Sequence, residues 1–174
     1  FTLSDLPEIH ERCYKKNIKT YLTLNTIIYD HDLSLVKRVI NEVKKTKISA
    51  IIASDQAIIS YAHSVGVDVH ISTQLNITNI ETVKFYSHFA NVMVLSRELS
   101  LRQIKSICDD IKKQNIKGPN GELVKVEVFG HGALCMAVSG KCYLSLHNQN
   151  ASANRGACVQ NCRRKYKVID IEDN

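Results

Sequence analysis

Residues Ile48 to Ala53 read ISAIIA, a nearly unbroken apolar run of the form a parallel strand takes when both its faces are covered. Similar runs begin near residues 19, 67, 91 and 123, and a segment with helical periodicity separates each from the next. Strands that alternate with helices in this way describe successive βα units, which confines the chain to the α/β class.

Local signals place the elements. Ser4-Asp5 followed by Pro7 starts a helix that runs to about Lys16, with Pro tolerated in the first turn. Lys19 to Leu24 (KTYLTL), rich in β-branched and aromatic residues, predicts the first strand, which ends at Asn25. From Asp32, the recurrence of Leu33, Val36, Val39, Ile40 and Val43 opposite Arg38, Glu42, Lys44 and Lys45 predicts an amphipathic helix lying on a sheet. Ser54-Asp55 caps a helix through His63, and Val67 to Ile71 is a strand followed by a helix from Ile80 to about Phe89 that Asn79 caps. Asn91 to Leu95 is the next strand. Ser100 and Gln103 form a capping box for the helix carrying Leu101, Ile104, Ile107, Cys108 and Ile111. After a turn-rich Gly118-Pro119-Asn120-Gly121, Leu123 to Phe129 supplies a fifth strand.

A doubly wound sheet and a TIM-type barrel both accept this rhythm. No G-x-G-x-x-G turn follows any strand, which removes the main sign of a dinucleotide-binding sheet. Polar groups do recur at each strand's carboxyl end: Asn25, Ser54-Asp55, Ser72-Thr73-Gln74, Ser96-Arg97-Glu98 and His131. In a barrel those ends meet at one mouth, where barrel enzymes keep their active sites. Asp55 is equally read as a helix cap. Gln74, Arg97, Glu98 and His131 are therefore the catalytic candidates. Five units do not close an eight-stranded barrel, and the first helix has no strand before it. The expectation is a partial or truncated TIM-barrel-like domain, with βα repeats over 1–130 and a Cys-rich, cluster-binding segment of the same domain over 131–174.

At 174 residues and 44% hydrophobic, the chain can bury one ordinary core. It lacks the long apolar run of a membrane span and a secretory n-region and h-region, so a soluble, cytoplasmic protein with no membrane partner is expected. The six cysteines would permit disulfides in a secreted protein, but a chain of this size does not need them and their clustering points to metal ligation. Cys13 and Cys108 fall on helices and read as small core residues. Cys135, Cys142, Cys158 and Cys162 instead sit among glycines, alanines and serines, which let backbone wrap closely around an inorganic centre and donate amide hydrogen bonds to sulfur. The occupants this admits are a Cys₄ zinc ion, for which only Cys158 and Cys162 have the usual tight spacing, or a larger 4Fe-4S iron–sulfur cluster, better served by the wide Cys135/Cys142 pair. Two disulfides would require an oxidising compartment.

The stretch Glu127-Val-Phe129-Gly-His131-Gly132-Ala133-Leu134-Cys135, with Gly140-Lys-Cys142-Tyr-Leu144-Ser145 beyond it, resembles the signature of peptidase family U32, the collagenase-like proteases. Ser152-Ala-Asn154-Arg155-Gly156-Ala-Cys158, Gln160 and Cys162-Arg163 resemble the family too, as do Asn25, Ser72-Thr73-Gln74 with Asn76, and Arg97-Glu98-Leu99-Ser100. The resemblance implies a first βα unit before Phe1. It also implies more than one activity: peptidases, enzymes that hydroxylate tRNA or rRNA, and proteins of oxygen-independent ubiquinone hydroxylation. In several relatives four cysteines so arranged hold a 4Fe-4S cluster, and the corresponding ligands here are Cys135, Cys142, Cys158 and Cys162.

A cysteine protease needs one activated thiolate beside a base, which His131 and Cys135 would supply, but four clustered cysteines exceed that need. Neither G-x-S-x-G nor H-E-x-x-H occurs. A cluster beside Gln74, Arg97, Glu98 and His131 suits redox or oxygen-atom transfer. The net charge of +6 includes a basic run, Arg163, Arg164, Lys165 and Lys167, which together with Arg155 suits a polyanion such as RNA, although such a run is also an ordinary solvated surface. The expectation is an iron–sulfur enzyme hydroxylating a base in tRNA or rRNA. A peptidase acting on a peptide substrate and a non-catalytic cluster-binding partner subunit are the alternatives.

Overall fold

The computed structural model describes residues 2–167, so the end of the 131–174 segment lies outside the described residues. The strands β1 Tyr21–Leu24, β2 Ala50–Ala53, β3 Val69–Ile71, β4 Val92–Val94 and β5 Lys125–Glu127 form one five-stranded sheet in which every neighbouring pair is parallel. Each lies inside the run that announced it. Spatial order equals chain order, so the sheet lacks the reversal that creates the ligand crevice of a doubly wound fold.

Helix α1 Leu6–Tyr14 precedes the first strand, α2 Leu33–Thr46, α3 Gln56–Ser64, α4 Ile80–Ser87 and α5 Leu101–Lys113 connect successive strands, and a short α6 Leu144–Gln149 follows the last. Their starts follow the cap chemistry. Asn79 Oδ1 accepts from the Thr82 amide at 2.9 Å, and Gln103 Oε1 accepts from the Ser100 amide at 2.9 Å. Asp55 does cap α3, accepting from the Ala57 amide at 2.9 Å. Its second oxygen accepts from the Ile28 amide at 3.1 Å and ties down the loop after β1.

Side chains paired across neighbouring strands point to the same face. Leu22, Ile51 and Val69 are in register, as are Ile71, Met93 and Val126. This face meets the helices, where Ile40, Val43, Ile58 and Val83 are fully buried. Burial of each such side chain stabilises the fold by about 1.5–3 kcal/mol. The opposite face carries Thr23, Ile52, His70, Val92 and Lys125 in register, and Thr23 and Lys125 are exposed. His70 is buried there between the Tyr21 ring, centroids 4.7 Å apart, and the Glu127 carboxylate, 3.4 Å from Nδ1. Cys13 and Cys108 are only partly buried, a correction to the expectation that both are core residues. Each sits on the flank of its helix, where the apolar stripe meets solvent. Among the described residues no helix is long and apolar enough to cross a membrane.

Candidate active site at the strand ends

The residues after β1, β2, β3 and β4 come together at one edge of the sheet, and the cysteine-rich segment folds back over them. Asn76, in the left-handed region with φ +53°, follows the 3₁₀ turn after β3 and makes the central junction. Its Oδ1 accepts from Ser96 Oγ and from Ser139 Oγ, each at 2.9 Å, so one amide oxygen joins the loops after β3 and β4 to the cysteine-rich segment. Ser139 is buried, and Arg97 Nη2 donates to the Ala137 carbonyl at 3.2 Å beside it. Gly140 has φ +77° and lies against Gln74, where a Cβ would come within 3.4 Å of Nε2. That contact is an ordinary one, and it is the positive φ that favours glycine.

A second set of bonds holds the segment from the β1 side. Arg155 donates to the two carboxylate oxygens of Asp32 at 2.6 and 3.4 Å and to the Ile27 carbonyl at 3.1 Å, and it stacks on the Tyr29 ring at 4.4 Å. The Ile27 amide in turn donates to the Asn154 carbonyl at 3.0 Å. Asn154 Oδ1 accepts from the Cys142 amide at 3.2 Å. The hydrogen bonds from Arg155 and the Tyr29 amide hold the Asp32 carboxyl down to about 2.

Between these ties lies a cavity of about 320 Å³ whose walls include the polar residues Asn25, Asp55, Gln56, Gln74, Lys141 and Asn154. Gln74 lines this cavity, while Arg97 and the exposed His131 line a separate hollow of about 310 Å³ with Phe129. Glu98 is exposed, and its carboxylate accepts from Ser96 Oγ, which lowers its pKa. The four expected catalytic side chains therefore divide between two hollows and a rim. Among the basic residues, Arg155 is engaged with Asp32, Arg163 donates to the Leu134 carbonyl at 3.4 Å, and Arg164, Lys165 and Lys167 are exposed.

All four clustered cysteines are free thiols; Cys142 is half-buried and Cys135, Cys158 and Cys162 are exposed. Ser145 is buried where α6 begins and sits 4.0 Å from Cys158 Sγ through its Oγ, which also accepts from the Val159 amide at 3.2 Å. The Leu144 amide donates to Cys142 Sγ at 3.4 Å. These bonds bring Cys142 and Cys158 to the same turn of α6. Among the described residues no three His, Cys, Asp or Glu side chains are grouped closely enough to hold one metal ion. The donor chemistry nonetheless fits a thiolate-bound group. The thiols are unpaired, and one amide, of Leu144, and one hydroxyl, of Ser145, are directed at sulfur. Asn161, beside Cys162, is 3% exposed with neither side-chain polar atom bonded within the described residues. Buried amides normally find partners, so a polar group held at this segment would satisfy this one.

Lys141, Asn154 and Asp32 were not singled out from sequence as parts of the site. Lys141 reads as an ordinary surface cation, and Asp32 lies 123 positions from Arg155, so no local spacing links them.

The chain is 58% identical over 170 residues to a Porphyromonas gingivalis (strain ATCC BAA-308 / W83) protein named collagenase, covering 98% of this chain and 41% of that protein. It is 35% identical over 170 residues to the Escherichia coli (strain K12) "23S rRNA 5-hydroxycytidine C2501 synthase", covering 97% of this chain and 24% of that one. It is 30% identical over 175 residues to the Bacillus subtilis (strain 168) "tRNA hydroxylation protein P1", covering 99% of this chain and 39% of that one. The chain thus spans less than half the length of these curated relatives. No solved structure matches it. The model of peptidase family U32 matches residues 1–174, and the chain belongs to that family.

Proposed function

We propose that this chain is part of an iron–sulfur enzyme that hydroxylates a base in tRNA or rRNA. The observation that carries the reading is the junction of two features: a segment with four free thiols is pinned, through Ser139 to Asn76 and Cys142 to Asn154, against a small polar cavity at the strand ends. Relatives named for rRNA and tRNA hydroxylation align with 86–99% of the chain, which supports RNA as the substrate class. In this reading the five sequentially ordered strands are an arc of a βα barrel, whose active site belongs at the strands' carboxyl ends.

Cys135, Cys142, Cys158 and Cys162 would hold the 4Fe-4S cluster, with zinc the alternative occupant. The cluster would supply electron-transfer chemistry when bound. The chain's own residues contribute position and charge. Gln74 and Asn154 present carboxamides to the cavity, Lys141 adds a cation at its wall, and Arg164, Lys165 and Lys167 offer a screened attraction for phosphates.

The test is direct. Anaerobically purified protein should be brown and carry about four irons per chain. RNA from a deletion strain should lack one hydroxylated pyrimidine. A colourless protein with stoichiometric zinc, or RNA with every modified nucleoside intact, refutes the respective half of the proposal.

A peptidase is the second reading, favoured by the 58% and 51% identity to proteins named collagenase. Gelatin cleavage that vanishes in Cys135→Ser but survives removal of iron would establish it in place of the hydroxylase.

A further inference from the structure

We infer that the Ser145 hydroxyl is a hydrogen-bond donor held for the thiolate of Cys158, which makes Ser145 a positioning residue for the group that the four cysteines bind. The inference rests on the reading of those cysteines as ligands, not on the RNA half of the proposed function.

Ser145 is the second residue of α6 and is 2% exposed. Its hydroxyl has one proton to donate and lone pairs with which to accept. The Val159 amide donates to Oγ at 3.2 Å, which fastens the backbone just beyond Cys158 to the start of the helix. That bond uses the oxygen as an acceptor and leaves the proton unassigned. A helical serine often donates back to the carbonyl one turn earlier, but among the described residues Ser145 Oγ has no oxygen to donate to. Its one acceptor there is Cys158 Sγ, 4.0 Å away. A buried hydroxyl normally finds a partner for its proton, so sulfur is that partner.

The chemistry of the acceptor decides what the bond is for. A neutral thiol accepts weakly, so the arrangement gains little from a protonated Cys158. Thiolate is the form that binds metal, and a hydrogen bond to an ionised acceptor is roughly twice as strong as one between neutral groups. The bond is therefore strongest when Cys158 is a ligand.

The four sulfurs also differ from one another. Cys142 Sγ receives the Leu144 amide at 3.4 Å and Cys158 Sγ the Ser145 hydroxyl, while among the described residues no donor reaches Cys135 or Cys162. Leu144 donates through its backbone, which almost any residue would supply. Ser145 donates through its side chain, so its identity matters. Hydrogen bonds to the sulfurs are among the factors that set the reduction potential of an iron–sulfur cluster. By drawing charge from Cys158 the hydroxyl favours the more negative, reduced state, and it thereby raises that potential.

The experiment uses the full chain reconstituted anaerobically with iron and sulfide, as wild type, Ser145→Ala and Ser145→Thr. Each is read for iron content and for its midpoint potential in a redox titration followed by visible absorption. Ser145→Ala should keep its iron, because every ligand is intact, and should titrate at a lower potential than the wild type. Ser145→Thr restores the hydroxyl and should return the potential toward the wild-type value. A loaded alanine protein with the wild-type potential, or a threonine protein shifted as far as the alanine one, overturns the inference. Should the alanine protein fail to fold or load, Ser145→Cys takes its place, being close in volume and a weaker donor; an unshifted potential there has the same force. A wild type that takes up zinc and no iron refutes the cluster reading by itself. The hydroxyl is then read on the cobalt-loaded chain, where Ser145→Ala should move the thiolate-to-cobalt absorption to longer wavelength and an unmoved band overturns the inference.

Discussion

Arg155 and Asp32 lie 123 positions apart in the chain yet form a forked ion pair, with nitrogen–oxygen distances of 2.6 and 3.4 Å, that holds the cysteine-rich segment to the loop after β1. The planar guanidinium matches both carboxylate oxygens while its face rests on Tyr29, so a lysine cannot replace it in full. Cys142 is three bonds removed from this pair: Arg155 to Ile27, Ile27 to Asn154, Asn154 to Cys142. Arg155→Ala should therefore raise the rate at which Cys142 reacts with a thiol reagent several-fold, with Arg155→Lys intermediate. Rates for Cys13 should not change.

The same pair carries an acid dependence. Asp32 titrates at about 2 in the fold against about 4 in an unfolded chain. A lowered carboxyl pKa contributes stability that is fully present above about pH 4 and is lost as pH falls toward 2. Wild-type protein should lose stability steeply across that window, and Asp32→Asn should start lower and fall less. Circular dichroism during an acid titration reads both curves.

On the helix-free face of the sheet, burial lowers the His70 pKa, opposed by the Glu127 and Asp68 carboxylates. The fold therefore favours neutral imidazole. Its contribution is present above the unfolded value of about 6.5 and is lost as pH falls through the lowered folded value. Thermal unfolding measured from pH 7 to pH 5 should show a larger drop for the wild type than for His70→Gln. Parallel curves would mean that His70 titrates alike in the folded and unfolded chain, so that burial does not shift it.

The core makes a plainer demand. Ile40 and Ile51 are fully buried, one from α2 and one from β2, and truncation of either to alanine should cost about 2–5 kcal/mol, the usual sum of lost transfer energy and cavity. Leu101, 84% exposed at the start of α5, should tolerate alanine within about 0.5 kcal/mol. Urea titrations of the variants measure the difference.

These contrasts also explain what was legible in the sequence. Strand and helix positions were readable because apolar runs such as ISAIIA and caps such as Asn79 and Ser100 act within a few residues. Gln74 could be placed because it follows a strand, and strand ends share one edge. The Asn76 junction, the Arg155–Asp32 pair and the entry of Lys141 into the cavity were not readable as site geometry, because each depends on how one glycine-rich segment returns across the sheet. The splitting of Gln74 from Arg97 and His131 has the same origin: residues 137–140 pass between them and are bonded to both sides.

Asn161 supplies the sharpest check on the thiol segment. Its side chain is buried beside Cys162 with no partner for either polar atom among the described residues, whereas its backbone carbonyl accepts from Tyr166 Oη at 2.6 Å. An unpaired buried amide costs about 1–3 kcal/mol, and an apolar residue of like volume relieves that cost. In iron-free protein, Asn161→Leu should therefore melt at the same temperature as the wild type or higher. After anaerobic reconstitution with iron and sulfide the order should reverse, because the wild-type amide then has sulfur to bond and the leucine does not. The visible absorption of the reconstituted variant should bleach faster in air. A leucine variant that melts well below the wild type without iron would show instead that the amide is satisfied in solution within the chain or by water, and that its burial does not reserve it for a bound group.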